Sequence, residues 1–277
     1  MPRRLGQHFL ADRRVLARIA DSVALDTECL VIEIGAGRGV LTELLAARAG
    51  LVVAVEVDPP LAALLRQKFG GSSRVRVVEA DVLQLDLRGL VAETGFRRAK
   101  AAGNLPYYIT SPILLRLFEF SGLFEDLTVM VQREVAERLA AAPKNRDYGL
   151  LSVTAQYYTC PELLFCIPPG AFRPPPRVDS ALVRMAVAPR GGELGIRDEA
   201  AFFRFLRACF QQKRKTLVNN LKRLPAIRQV TAALESLGLS GFARAEELSL
   251  EQLASLFSVL QPQRHKELKG SPSRSTL

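Results

Sequence analysis

Two hydrophobic periods alternate along the first two-thirds of this chain. Short strand-like runs recur, the first of them continuously apolar: CLVIEIG (29–35), LVVAVEVD (51–58), RVRVVEAD (74–81), AKAAGN (99–104) and LTVMVQ (127–132). Runs of this length that close on glycine, asparagine or an acid predict strands, and unbroken apolarity predicts burial on both faces. Between them the spacing is helical. Val15, Leu16, Ile19, Ala20 and Val23 share one face, and VLTELLAARAG (40–50), PPLAALLRQKFGG (59–71) and SPILLRLFEF (111–120) follow the same period. The prolines that open the third of these suit a first helical turn. Strand and helix in alternation predict an α/β fold, a parallel sheet with helices on both faces.

The pattern then changes. Five prolines between residues 168 and 176 predict a stiff surface loop. SALVRMAV (180–187) alternates like an edge strand, and APRGGELG (188–195) has the composition of a linker. Beyond it the spacing is helical over 197–224, 227–239 and 248–260. The expected organisation is a domain over 1–189, a small all-helical domain over 190–262 and a tail over 263–277 with little to bury.

Charge sharpens this division. The chain carries 38 Lys+Arg against 28 Asp+Glu, a net +10. After residue 189 there are 15 basic and 8 acidic side chains, so +7 of that excess lies in the final third. A polyanion, most simply nucleic acid, is the expected partner. Within 211–223, Lys213, Arg214, Lys215, Lys222 and Arg223 cluster with Asn219 and Asn220, and one helical face would gather several of them along an RNA backbone. Cys29, Cys160, Cys166 and Cys209 lack paired spacing and read as reduced core thiols. With only His8 and His265 present, no metal centre is expected. No apolar stretch suits a secretory leader or a membrane span, so the expected location is cytoplasmic.

Candidate chemistry sits at the strand ends. Gly35-x-Gly37-x-Gly39 joins the first strand to a helix, where doubly wound sheets bind nucleotide-like ligands. Val40 stands where the dinucleotide fingerprint needs its last small residue. Glu56, closing the second strand, can accept both ribose hydroxyls of NAD or of S-adenosylmethionine. Asp81, after the third, can accept from an adenine amine. Acids in these places are also ordinary helix caps. The three positions together resemble the S-adenosylmethionine-dependent methyltransferase pattern, a Rossmann-like sheet. The fourth strand ends in Asn104-Leu105-Pro106-Tyr107. An adenine amine is a poor nucleophile because its lone pair is delocalised into the ring. Two acceptors aimed at its two hydrogens, the Asn104 side-chain oxygen and the Leu105 carbonyl, would free that pair. Pro106 holds Leu105 extended, and Tyr107 can stack on the base.

NLPY, with GQHFL (6–10), EIGAGRGVLT (33–42), VQREVAERL (131–139), YGLLSVTAQYY (148–158) and FRPPPRVDSALVR (172–184), resembles the bacterial small-subunit (16S) rRNA adenine N6,N6-dimethyltransferase family over nearly the whole chain. That resemblance implies two methyl transfers to each of two adjacent adenosines in a hairpin loop near the 3′ end of 16S rRNA, within a small ribosomal subunit or its precursor. It implies S-adenosylmethionine as cofactor, no metal, and a monomer. Carried over by position, it implies cofactor contacts at His8, Leu10, Gly35, Gly37, Glu56, Asp81 and Asn104. It implies a base clamp at Asn104, Leu105, Pro106 and Tyr107, closed from the other side by Phe172. His8 stands where the family usually has asparagine. A large-subunit methylase of the antibiotic-resistance type would share the clamp, and a non-enzymatic assembly factor could share the fold.

Overall fold

The computed structural model describes residues 8–222 and 227–261. The chain divides into two compact units between Glu193 and Leu194. In the first unit it runs β1 (Phe9–Leu10), α1 (Arg13–Ser22), β2 (Leu30–Ile34), α2 (Val40–Ala46), β3 (Leu51–Glu56), α3 (Pro59–Phe69) and β4 (Val75–Glu79). There follow α4 (Leu87–Thr94), β5 (Ala99–Asn104), α5 (Thr110–Glu119), β6 (Phe124–Gln132), α6 (Arg133–Leu139), α7 (Leu150–Tyr158), β7 (Thr159–Ile167), β8 (Phe172–Arg173) and β9 (Ser180–Val187). The second unit holds α8 (Glu199–Cys209), α9 (Leu217–Asn220), α10 (Ile227–Ser236) and α11 (Leu250–Leu260).

Seven strands form one sheet in the order β4-β3-β2-β5-β6-β9-β7. The strands from β2 to β6 pair in parallel. Every residue of β2 is buried, as a strand covered on both faces requires. The helices supply the cover through apolar faces such as Leu16, Ile19 and Ala20 of α1. The fold is a Rossmann-like α/β architecture. Its chain order reverses at one place: β3 and β4 continue to one side of β2, while β5 returns to the other. Crevices open at the carboxyl ends of strands at such a switch point.

Three expectations are corrected. SALVRMAV is not an edge: β9 lies inside the sheet, antiparallel to both β6 and β7. The sheet is therefore mixed, and β7 covers the β9 edge. Pro161 in β7 has no N–H to offer a further strand, which suits an edge position. Within the proline-rich segment, β8 pairs with β1, Phe9 opposite Arg173 and Leu10 opposite Phe172. Finally, Cys160 and Cys166 are exposed on β7 rather than buried, whereas Cys209 is in the core.

The second unit departs further from its sequence pattern. The helical period over 197–224 breaks after Cys209. Asn220 explains the break. Its amide nitrogen donates to the carbonyls of Cys209 (2.7 Å), Gln212 (3.1 Å) and Lys215 (3.5 Å). Carbonyls left open at a helix end need donors, and one buried side chain fills them. Thr216 then caps α9 by accepting from the Asn219 N–H at 3.3 Å. Lys213, Arg214 and Lys215 consequently lie in a turn, not on a helix face, and Lys222 lies in the turn after α9. Arg223 and the tail over 263–277 lie outside the described residues. Asn220→Ala should lower stability by roughly 1–3 kcal/mol, the cost of leaving buried carbonyls without donors. Chemical unfolding followed by circular dichroism checks this, and an unchanged midpoint would show that water replaces the amide without loss.

Candidate active site

A cavity of about 480 Å³ opens at the switch point. Its walls are the carboxyl ends of β2, β3, β4 and β5, with the His8–Leu10 segment across them. The chain packs tightly here. A Cβ at Gly103 would run into the Ile34 carbonyl, so only glycine lets β5 lie this close to β2. A Cβ at Gly35 would stand 3.4 Å from the Asn104 carbonyl, and Gly35 itself has φ +72°. The glycine loop and the Asn104 loop are thus neighbours in space, although about seventy positions apart in sequence.

Of the residues singled out in sequence, His8, Leu10, Gly35, Gly37, Glu56, Asp81, Asn104, Leu105, Pro106 and Tyr107 all line this cavity. Glu56 is only 4% exposed. One carboxylate oxygen accepts the Gly37 N–H at 2.8 Å and the other accepts the Asp58 N–H at 3.0 Å. The acid therefore shapes the glycine loop and retains acceptor capacity on both oxygens. Asp81 has a local task as well, since its Oδ1 accepts the Leu83 N–H at 2.9 Å.

Asn104 is oriented by one bond. Its Nδ2 donates to the His8 carbonyl at 3.0 Å, which settles which side-chain atom is oxygen. The Oδ1 is then buried with no hydrogen-bond partner. A buried acceptor left open costs about 1–3 kcal/mol, so it marks a place where a donor belongs. The Leu105 N–H binds the Met130 carbonyl at 3.0 Å, and Pro106 is extended at φ −63°, ψ 127°. Tyr107 is held by its hydroxyl, 2.5 Å from Ser180 Oγ, and its ring stacks on His8 with centroids 5.9 Å apart. Burial pushes the Tyr107 hydroxyl above its ordinary pKa. His8 Nδ1 lies 2.9 Å from the Pro174 carbonyl; an acceptor there makes Nδ1 the protonated nitrogen.

Phe172 is a correction. It is 0% exposed and packs in a core cluster with Leu16, Ile19 and Leu182, outside the cavity lining. Its pairing with Leu10 turns the apolar ring inward, while the next residue, Arg173, reaches the cavity. An aromatic face for a second side of the base is not presented by Phe172. The basic residues after 210 belong to the other unit.

Among the lining residues that escaped the sequence reading are Glu33, Tyr108 and Arg173. Tyr108 is 61% exposed at the mouth. Glu33 had a legible signal, a carboxylate inside the apolar run VIEIG. It is 2% exposed and accepts the Thr42 hydroxyl at 2.5 Å. Burial above all, helped by the nearby Glu56 carboxylate and opposed by the Thr42 hydrogen bond and Lys68, pushes its pKa up from 4.5 to about 8. At neutral pH Glu33 is therefore mostly a neutral acid on the cavity floor.

This has a consequence for stability. The native state retains a proton that the unfolded chain releases near pH 4.5, so stability falls as pH rises from there to about 8. Glu33→Gln removes the titration and keeps an acceptor for Thr42. The stability advantage of the variant over the parent should grow across pH 5 to 8, reaching on the order of a few kcal/mol. Urea unfolding at several pH values measures it. A constant difference across the range would mean that Glu33 titrates normally.

The sequence model describing ribosomal RNA adenine dimethylase matches residues 2–262. The ribosomal RNA small subunit methyltransferase A of Acidobacterium capsulatum is 48% identical over 261 residues, covering 93% of this chain and 90% of that protein. The protein of the same name from Koribacter versatilis is 42% identical over 268 residues, covering 93% and 94%. Among solved structures, the 23S rRNA methyltransferase ErmE superposes with a TM-score of 0.68 at 32% identity, over 91% of this chain and 99% of that one. A dimethyladenosine transferase from Plasmodium falciparum gives a TM-score of 0.76 at 24% identity, over 90% and 96%, and shares the fold.

Proposed function

This chain belongs to the ribosomal RNA adenine dimethylase family, and from that premise we infer that the open acceptor of Asn104 is where the target adenine amine binds. The protein is an rRNA adenine dimethyltransferase of the small-subunit kind. The finer reading is two adjacent adenosines in a hairpin loop near the 3′ end of 16S rRNA, in a small subunit or its precursor. Each would be dimethylated at N6.

The observation that carries the site assignment is the buried, unpartnered Asn104 Oδ1. An amine donates two hydrogens. Asn104 Oδ1 takes one, and the Leu105 carbonyl, stiffened by Pro106, takes the other. Both bonds pull the nitrogen toward tetrahedral geometry and return its lone pair. The interaction is strongest as the amine becomes cationic, so it favours the transition state over the ground state. Tyr107 stacks on the base with the ring face that His8 does not cover. The base must leave its stack to reach this position.

The glycine loop, Glu56 and Asp81 fit S-adenosylmethionine. Glu56 would accept the ribose hydroxyls with its remaining lone pairs, Asp81 the adenine amine, and His8 and Leu10 would close over them. The bound cofactor supplies an electrophilic sulfonium methyl. Positioning and exclusion of water by the cavity walls do the remaining work. Solvent takes the surplus proton of the product amine. Among the described residues there is no cluster of three metal-ligating side chains, and no helix is long and apolar enough to cross a membrane. Lys213, Arg214, Lys215, Lys222 and Arg223 are read as phosphate contacts, supported by the +7 balance after residue 189.

Two substitutions test the reading. Asn104→Ala should leave RNA affinity nearly unchanged and slow methyl transfer by ~10²–10³-fold, the scale of one deleted transition-state hydrogen bond. Single-turnover transfer of labelled methyl to unmethylated small subunits, with large-subunit RNA as the comparison substrate, isolates that step. A near-parental rate would reduce Asn104 to a tether for His8. Glu56→Ala should weaken S-adenosylmethionine binding by roughly ten- to a hundredfold in calorimetry. Equal affinity would remove Glu56 from the cofactor site.

A further inference from the structure

Phe242 is 85% exposed, the most exposed large apolar side chain among the described residues. It belongs to the loop between α10 and α11, in the second unit. Alternation along this loop explains its direction. Ala243 and Ala245 are buried, whereas Phe242 and Arg244 face outward. The loop is held rather than loose. The Phe242 N–H donates to Ser240 Oγ at 3.2 Å, and the Ala243 N–H donates to the Ser240 carbonyl at 3.0 Å.

The same loop is tied to the basic turn. The Leu217 N–H donates to the Ala243 carbonyl at 2.8 Å, and Lys213 Nζ lies 3.9 Å from Glu246 Oε2. Leu217 follows Lys215 by two positions, so the backbone of the loop that carries Phe242 adjoins that of the Lys213–Lys215 turn. Lys213, Arg214, Lys215 and Arg244 are all exposed there. An aromatic ring kept in water against its hydrophobic cost, on a fixed loop that adjoins a cationic turn, suits unpaired nucleotides: cations follow the phosphates and the ring takes a base.

We propose that Phe242 is a stacking platform for one unpaired base of the RNA substrate, working with the Lys213–Lys215 turn as a recognition element of the second unit. The inference rests on the RNA reading above and extends it. The charge of the turn attracts any RNA backbone, duplex or single-stranded. A ring that needs an exposed base face accepts only the unpaired kind. Phe242 therefore gives this unit a preference for loops over stems without reading sequence, since every base has a π-face. The cations of the adjoining turn favour a nucleic acid as occupant over an apolar protein surface.

The chain contains no tryptophan, so Phe242→Trp places a single reporter at the site. In the full-length protein its fluorescence should be quenched by a short single-stranded RNA oligonucleotide and not by the duplex formed with its complement. Phe242→Ala and Phe242→Leu should each weaken binding of the single strand by about tenfold, within the range of one lost base stack. Their slope of log affinity against log salt should stay parental. Lys215→Ala should lower that slope by about 0.7–0.9, the mark of one lost phosphate contact. An unfolding midpoint equal to the parent's shows that Phe242→Ala is folded, as an exposed side chain requires. Unquenched tryptophan, quenching by duplex equal to that by single strand, or parental affinity in Phe242→Ala overturns the proposal. Failure of the parent itself to bind and methylate small-subunit RNA would instead overturn the RNA reading, so the two failures are distinct.

Discussion

The close pairing of β2 with β5 is the constraint on which the site depends. Parallel strands that leave in opposite directions from one pair cannot both be covered at their carboxyl ends by the same connection, so a crevice remains. Gly103 allows the approach because any Cβ would strike the Ile34 carbonyl, and Gly35 meets the Asn104 carbonyl from the other side. Two loops distant in sequence thereby become the floor and wall of one cavity. Every functional side chain discussed for the first unit enters from these strand ends or from the β1–β8 pair laid across them.

Hydrogen-bond accounting inside the cavity separates groups that hold the structure from groups kept for a ligand. Glu56 has a fixed N–H on each oxygen and fastens the glycine loop. Glu33 has the Thr42 hydroxyl and a pKa raised to about 8, so it sits neutral in a dry place. Asn104 differs. Its nitrogen is engaged by His8, and that very bond prevents the amide from turning its oxygen away. The open acceptor is thus held in position before any ligand arrives, the preorganisation by which a hydrogen bond lowers a barrier.

The second unit uses the same economy for a different end. The Asn220 amide donates to the Cys209 carbonyl at the end of α8 and to the Gln212 and Lys215 carbonyls of the turn that follows. That turn presents Lys213, Arg214 and Lys215 at a corner rather than along a helix, next to the loop that carries Phe242. On a helix these three consecutive side chains would point about 100° apart around the axis; the turn leaves all three exposed.

Periodicity was enough to read the α/β class, the five parallel strands and most of the helices between them, though not α4, because those elements obey local spacing rules. The glycine loop, Glu56, Asp81 and Asn104 to Tyr107 were legible for a related reason: strand ends in a doubly wound sheet point to one side, so order along the chain implies proximity. Other features rested on contacts that spacing does not encode. β9 alternates like an edge strand, and only the pairing with β7 makes it interior. Phe172 has the chemistry of a stacking residue, but its β-pair with Leu10 turns the ring into the core and brings Arg173 to the cavity. The residues over 210–216 have helical spacing, yet the helix ends at Cys209, whose carbonyl is met by a buried amide eleven positions later. The sequence alone determined which groups could do chemistry and roughly where the backbone would carry them. The tertiary structure decided which of those groups are left open, because burial and hydrogen bonding are settled between residues far apart in the chain.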